Sequence, residues 1–132
     1  MRIIRERQAS VAGPSDNFFG PVWTDEIAVP GPPSRLRLHL VRFAPGSRTA
    51  WHTHPLGQVL LITDGSGLVQ RRGGEVNQVQ SCDAVVFEAG EWHWHGAGPT
   101  TFMTHIAVQE ADGQGLTAER GSHVSDLEYS SI

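Results

Sequence analysis

The sequence contains no lysine, since all ten of its basic residues are arginine. Catalysis through a Schiff base on a lysine is therefore excluded. Cysteine is almost absent as well, because Cys82 is the only one and has no partner for a disulfide within the chain. A protein without structural disulfides is expected in a reducing compartment, so we expect a cytoplasmic location.

Charge and long apolar runs are also scarce. Charged residues make up 18% of the sequence and the formal net charge is −4, whereas an average soluble domain is roughly 25% charged. A mildly acidic protein is not attracted to nucleic acid or to an anionic membrane surface. No apolar run approaches the roughly 20 residues that span a bilayer, and none resembles the core of a secretory signal. The expected partner is a small molecule, with no nucleic acid and no membrane.

Short segments with a period of two dominate what is present. The 15 glycines and 8 prolines favour many tight turns. In RLRLHLVRF, residues 35–43, three leucines alternate with residues that include His39. We interpret DGSG, residues 64–67, as a hairpin turn. Further extended pieces are expected at 48–54, 58–63, 68–79, 83–98 and 101–110.

This pattern predicts an all-β sandwich or barrel in one domain, residues 1–132. The proline-containing stretches 17–23 and 26–34 are expected to be edge or connecting structure. At most one short helix is expected, near the C-terminus, where SDLE at 125–128 fits a capping box.

Two clusters with the spacing WHxH carry the strongest chemical signal, at residues 51–54 and 92–95. Residues two apart on a strand point to the same face, so both histidines of a cluster share one face. Imidazole is the commonest metal-binding side chain in proteins. We therefore expect the two clusters to lie on facing walls of a barrel and to bind one ion together.

The spacing around the first cluster resembles the first sequence motif of the cupin family. In that motif two histidines and a glutamate bind metal, and here glutamine replaces the glutamate. The matching positions are Gly46, His52, His54, Gln58 and Gly65. The second cupin motif keeps only its glycine and its histidine among five positions, which here hold Cys82, Glu88, Gly90, His93 and Ala97. The resemblance implies a jelly-roll-like double-sheet β-barrel, with its barrel core at about 35–110.

A narrower resemblance is to the small single-domain cupins that act as manganese-dependent bacterial hydroxynitrile lyases. It is carried by RTAWHTHPLGQ, GEWHWHGAGPTT and MTHIAVQE, at 48–58, 90–101 and 103–110. It implies one divalent transition metal per chain, with manganese expected, bound by His52, His54, Gln58 and His93. The polar pocket residues that it implies are His95, His105 and Gln109, while Val41 shapes the cavity. His39 departs from the pattern, which has a small apolar residue there.

The ligand set indicates the kind of chemistry. Three neutral imidazoles and a neutral carboxamide leave a bound ion its full 2+ charge, which favours developing anions and Lewis-acid catalysis over oxidation. Together with this preference, the resemblance to hydroxynitrile lyases implies cleavage of a cyanohydrin to an aldehyde and cyanide. In this scheme His105 accepts the hydroxyl proton, His95 or His39 protonates the departing cyanide, and Gln109 orients the nitrile.

Several alternatives stay open at the level of sequence. The same ligands serve a cupin dioxygenase that cleaves C–C or C=C bonds, and a cupin that binds a small ligand without catalysis. Iron, nickel, cobalt or zinc are alternatives to manganese. For His105, the alternative role is that of a core histidine hydrogen-bonded to the backbone.

Two apolar features are expected to be structural. The tryptophans of the clusters fall on the face opposite the ligands, where they pack an outer layer or a subunit contact. Leu36, Leu38 and Leu40 form an apolar strip on the face away from His39. Such a strip needs cover, and we expect a homodimer or a higher homo-oligomer.

Overall fold

The computed structural model describes residues 1–130, which form short β-strands and one helical turn. The strands are Val11–Ala12 (β1), Phe18–Phe19 (β2), Val22–Ala28 (β3), Leu36–Phe43 (β4), Arg48–Thr49 (β5), His52–Thr53 (β6), Gln58–Arg71 (β7), Asn77–Gln80 (β8), Ala84–Phe87 (β9), His93–Ala97 (β10), Met103–Glu110 (β11) and Glu119–Arg120 (β12). The helix α1 is Asp126–Tyr129. The prediction of an all-β fold with one short C-terminal helix is confirmed. No helix among residues 1–130 is long and apolar enough to cross a membrane.

One long strand joins the two halves of the fold. The first half of β7 pairs with β11 and β9, and its second half pairs with β10 and β8. The resulting order, β1-β3-β4-β11-β7-β10-β5-β2, is a sheet that curls into two walls. The first wall contains β1, β3, β4, β11, β9 and the first half of β7. The second wall contains the second half of β7 with β8, β10, β5 and β2, and β6 and β12 are attached beside β10. Every pairing is antiparallel, as expected for strands that are joined by tight turns.

The prediction of a hairpin turn at DGSG is wrong. Residues 64–67 lie inside β7, which runs through them for 14 residues without reversing. Gly65 has a φ of +74°, and a Cβ on Gly67 would lie 2.2 Å from the Gly96 carbonyl oxygen. These glycines allow the strand to bend from one wall to the other while neighbouring backbone approaches closely. A turn and a bent strand both need glycine, so composition alone did not separate them.

The proline-rich stretches flank a strand near the sheet edge. Pro21 and Pro30 lie just outside β3, which pairs with β4 along most of its length but with β1 at only two positions. Proline cannot donate to a ladder, so the prolines bound the strand without interrupting it. The expectation of edge or connecting structure is confirmed for β2, which ends the strand order, whereas β3 lies one strand in from the edge and is longer than the prolines suggested.

Two hydrophobic clusters pack the opposite sides of the second wall. The inner cluster fills the space between the walls and includes Phe43, Leu60 and Met103. The outer cluster covers the back of β10 and consists of Trp51, Leu68, Trp94, Val124 and Tyr129, with Val76 and Trp92 against it. The expected outer packing of the tryptophans is therefore confirmed.

The tail that covers this outer cluster is fixed by hydrogen bonds. The Tyr129 hydroxyl donates to the Ala97 carbonyl over 2.7 Å, and the predicted capping box between Ser125 and Glu128 is formed. The capping box stabilises the helical turn itself, and the buried Tyr129 bond ties α1 to β10, where the Tyr129 ring packs on Trp94.

The outer face of the first wall remains apolar and exposed. It carries Leu36, Val59, Leu61 and Val86, of which Leu61 is 44% and Val86 is 62% exposed. These residues extend the leucine strip of β4 across β7 and β9. A contiguous apolar sheet face of this kind is unusual for a monomer.

Candidate metal centre

The two WHxH clusters lie on neighbouring strands. β6 pairs antiparallel with β10, and His52 lies directly opposite His93 in that register. The prediction that the clusters sit on facing walls is therefore wrong, because both belong to the same wall. Residues directly opposite each other in an antiparallel pair project from the same face, so the two imidazoles converge without crossing the barrel.

His52 is the centre of a group of four imidazoles. Its ring centroid lies 4.4 Å from that of His93, 5.1 Å from that of His54 and 5.2 Å from that of His95. One nitrogen from each of His52, His93 and His95 lies within 4.8 Å of the others, so these three could hold a metal ion. The set implied by the sequence has His54 in place of His95, and the structure brings both residues to the group.

Hydrogen bonds to the backbone distinguish three of these imidazoles from the fourth. In each of the three, Nδ1 lies within hydrogen-bond distance of a main-chain carbonyl oxygen and must therefore carry the proton. The pairs are His52 with Ala50 (2.8 Å), His54 with Thr117 (2.6 Å) and His93 with Glu91 (2.8 Å). This arrangement leaves the Nε2 lone pair free and aimed inward, as in metal-binding histidines.

A lone pair of His93 and a lone pair of Gln58 face each other within this group of imidazoles. The Nε2 of His93 lies 3.1 Å from the Oε1 of Gln58, and neither atom carries a hydrogen when His93 is neutral and protonated on Nδ1. The buried Nε2 of His54 has no hydrogen-bond partner among residues 1–130. A separation of about 3 Å is that of two adjacent ligand atoms with metal bonds of about 2.1 Å. A bound cation would accept the lone pairs of these atoms, so the donor set fits a divalent ion.

Burial keeps the imidazoles uncharged. Removal of water lowers the pKa of His52 to about 3 and that of His93 to about 4, with the backbone acceptors opposing the change. Burial also lowers the pKa of His54. Neutral imidazole is the form that binds a metal, so the folded chain presents its ligands ready at neutral pH.

A second pair of imidazoles lies next to the group. The Nε2 of His105 is 3.1 Å from the Nδ1 of His95, and the His105 ring packs at a centroid distance of 5.3 Å on Phe43. The outer nitrogens, Nε2 of His95 and Nδ1 of His105, have no partner among residues 1–130. Burial lowers the pKa of His105 to about 3 and that of His95 well below its ordinary value. Both rings are therefore neutral, and one of them donates its N–H proton to the lone pair of the other.

The other side of the site is lined by amides. The Gln58 side chain donates from Nε2 to Oε1 of Gln109 over 3.1 Å, and Nε2 of Gln109 lies 3.5 Å from Nδ1 of His39. Burial lowers the pKa of His39. A polar chain thus runs from His93 through both glutamines to His39.

These groups surround a cavity of about 450 Å³, which is the size of a small-molecule site. All the predicted site residues except His93 line it; His93 lies behind Gln58 and stacks on Phe87 with a ring distance of 3.6 Å. The sequence did not predict the part of the cavity lining that contains Asn17, Thr117 and Arg120. The segment around Thr117 has no strand periodicity, so no sequence signal placed it over the histidines.

The curled two-walled sheet and its inward histidines define a class of protein. The cupin domain family matches residues 39–106, and the chain belongs to this family. Among its relatives, an (R)-mandelonitrile lyase from Granulicella tundricola is 49% identical over 123 residues, covering 92% of this chain and 92% of that protein.

Solved structures agree on the architecture. A cupin-like protein from Thermotoga maritima has a TM-score of 0.84 at 34% identity, covering 97% of this chain and 95% of that one. The polyketide cyclase RemF from Streptomyces resistomycificus has a TM-score of 0.74 at 19% identity, covering 98% and 91% of the two chains. The second likeness concerns the fold alone.

Proposed function

We propose that this protein is a metal-dependent hydroxynitrile lyase that cleaves cyanohydrins to an aldehyde and hydrogen cyanide. The observation that carries the proposal is the convergence of inward imidazole and amide lone pairs beside a buried imidazole pair. The first group suits a cation and the second suits proton transfer. The 49% identity to an (R)-mandelonitrile lyase supports the same reaction class.

The proposed ligands are His52, His54, Gln58 and His93, with one ion per chain and manganese as the expected metal. The three histidines of this set are those whose Nδ1 is fixed by a backbone carbonyl. His95 has no such carbonyl, because its Nδ1 faces His105. When bound, the ion would act as a Lewis acid and stabilise negative charge on the substrate's oxygen.

The chain's own residues then move one proton. His105 accepts the hydroxyl proton of the cyanohydrin, and the O–H electron pair forms the carbonyl double bond. The C–C bond breaks, and its electron pair leaves with cyanide. A proton passes from the imidazole pair, through His95, to the cyanide carbon. The products are the aldehyde and HCN, and the imidazole pair regains its starting protonation state.

Geometry supports this division of roles. Both imidazoles line the cavity and are 3.1 Å apart, which allows transfer between them without water. Gln109 also lines the cavity, where its amide orients the nitrile, and His39 beside it is a second proton donor for cyanide.

The test is aldehyde release from racemic mandelonitrile at pH 5.5, where the uncatalysed reaction is slow. We expect manganese-loaded protein to release benzaldehyde well above background, and chelator-stripped protein and His93→Ala to do so at background rates. His123→Ala, which removes an exposed histidine in the tail, is the matched control. No release by fully metallated wild-type protein, or oxygen consumption in step with turnover, contradicts the lyase reaction.

The assembly proposed with this function is a homo-oligomer formed through the apolar face of β4, β7 and β9. A second copy offers the same flat apolar face, and a twofold axis lets such a face cover itself. The exposure of Leu61 and Val86 supports this assignment.

A further inference from the structure

Arg120 stands at the cavity, next to the candidate metal centre. It belongs to β12, which pairs antiparallel with β6 and places Arg120 directly opposite His52. Directly opposed residues of an antiparallel pair share a face. Both side chains therefore project to the cavity side, and both line the cavity.

Only one end of the Arg120 guanidinium is in use. Its Nη1 donates to Oδ1 of Asn17 over 3.2 Å and lies 3.5 Å from Oδ2 of Asp16. Within residues 1–130, Nε and Nη2 have no hydrogen-bond acceptor. The Nε and Nη2 edge is the side of a guanidinium that binds both oxygens of a carboxylate with two parallel hydrogen bonds. The contact to Asn17 orients this edge without occupying it.

The charges around the cavity favour an anion. No carboxylate is among the described residues that line it, and Arg120 is the one arginine there. Its ion pair with Asp16 is exposed, with 49% of the Arg120 and 79% of the Asp16 side chain accessible. Such surface pairs contribute little free energy, so an incoming carboxylate can share or replace this partner.

We propose that Arg120 binds a carboxylate of the substrate and makes carboxylate-bearing cyanohydrins the substrate class of this site. The inference rests on the proposed lyase function for its reaction, but the carboxylate site itself stands on the contacts of Arg120. The reacting carbon lies among the histidines, and the carboxylate lies at the other end of the substrate, toward β12.

The first experiment compares mandelonitrile with 4-carboxymandelonitrile in the manganese-loaded enzyme. We expect the ratio of kcat/KM, carboxylated over neutral, to be above one in the wild type and to fall about tenfold in Arg120→Gln. Arg120→Lys keeps the positive charge but cannot form the bidentate hydrogen bonds, so we expect its ratio to lie between those of Arg120→Gln and the wild type. Arg35→Gln is the matched control, because it removes an equal charge from an exposed position outside the cavity and keeps the wild-type ratio.

A binding experiment separates this inference from the lyase reaction. Calorimetric titration with 4-carboxybenzyl alcohol and benzyl alcohol, neither of which is cleaved, measures the carboxylate preference without turnover. The carboxylate site is supported if the wild type binds the carboxylated ligand more tightly and Arg120→Gln reduces that preference. This result holds even when no cyanohydrin is cleaved. Equal binding of the two ligands by the wild type, or an unchanged preference in Arg120→Gln, overturns it.

Discussion

The buried imidazoles make the stability of the metal-free protein fall steeply in mild acid. Burial lowers the pKa of His52 and His105 to about 3 and that of His93 to about 4, whereas an unfolded histidine titrates near 6.5. Below pH 6.5 the unfolded chain therefore binds protons that the folded chain does not. The free energy of unfolding is highest above pH 6.5 and declines as the pH falls toward 4.

The magnitude follows from the number of groups. Each imidazole that is protonated only in the unfolded state costs about 1.4 kcal/mol per pH unit. Between pH 6 and pH 5 the three groups together cost about 3 to 4 kcal/mol. Since a domain of this size has only about 5 to 15 kcal/mol of stability, the loss is large.

The assay is urea unfolding of chelator-treated protein at several pH values from 5 to 7.5. We expect His105→Gln, which removes one buried imidazole, to reduce the slope between pH 6 and 5 by about 1.2 kcal/mol. His123→Gln removes an exposed imidazole and keeps the wild-type slope. A wild-type loss below about 1 kcal/mol over that pH unit would refute the reasoning, because the histidines would then titrate normally in the folded state.

Three further predictions concern packing, assembly and catalysis. Gly67→Ala places a Cβ 2.2 Å from a backbone oxygen, so we expect it to lower the free energy of unfolding by about 2 kcal/mol or more. The control Gly113→Ala has open space around it and should have little effect. Equal stability of the two variants in parallel thermal melts contradicts this prediction. Leu61→Glu puts a charge on the exposed apolar face, so we expect the proposed homo-oligomer to be present in the wild type and absent in this variant in analytical ultracentrifugation. An equal mass for the two proteins argues against this face. His105→Gln should retain bound manganese but lower kcat for mandelonitrile by about 100-fold or more, and a wild-type kcat removes His105 from the proton transfer.

Strand periodicity predicted which residues meet in this site. Alternation in 35–43 placed His39 on the face away from the leucine strip, and the HxH spacing placed both members of each cluster on one face. In the structure all of these histidines except His93 line one cavity, and His93 lies beside it against Gln58. Periodicity acts within a strand, so it identifies faces reliably. The ligand set, by contrast, came from the resemblance to cupins rather than from spacing.

The sequence did not predict which distant segments pair with each other. The WHxH clusters were expected to face each other, but β6 pairs with β10 and sets them side by side. The role of Thr117, whose carbonyl oxygen fixes His54, depends on how the tail crosses the cavity. Such contacts are set by tertiary packing over long sequence distances and leave no local pattern.

The most direct test of this account is calorimetric titration of Mn²⁺ into chelator-stripped protein at pH 7, with His54→Ala and His95→Gln beside the wild type. The proposed ligands are the imidazoles that a backbone carbonyl orients, a group that includes His54 and leaves out His95. We therefore expect one Mn²⁺ per chain in the wild type, more than about 100-fold weaker binding in His54→Ala and less than about tenfold weaker binding in His95→Gln. The reverse order of these two variants, or no binding by the wild type, contradicts the account.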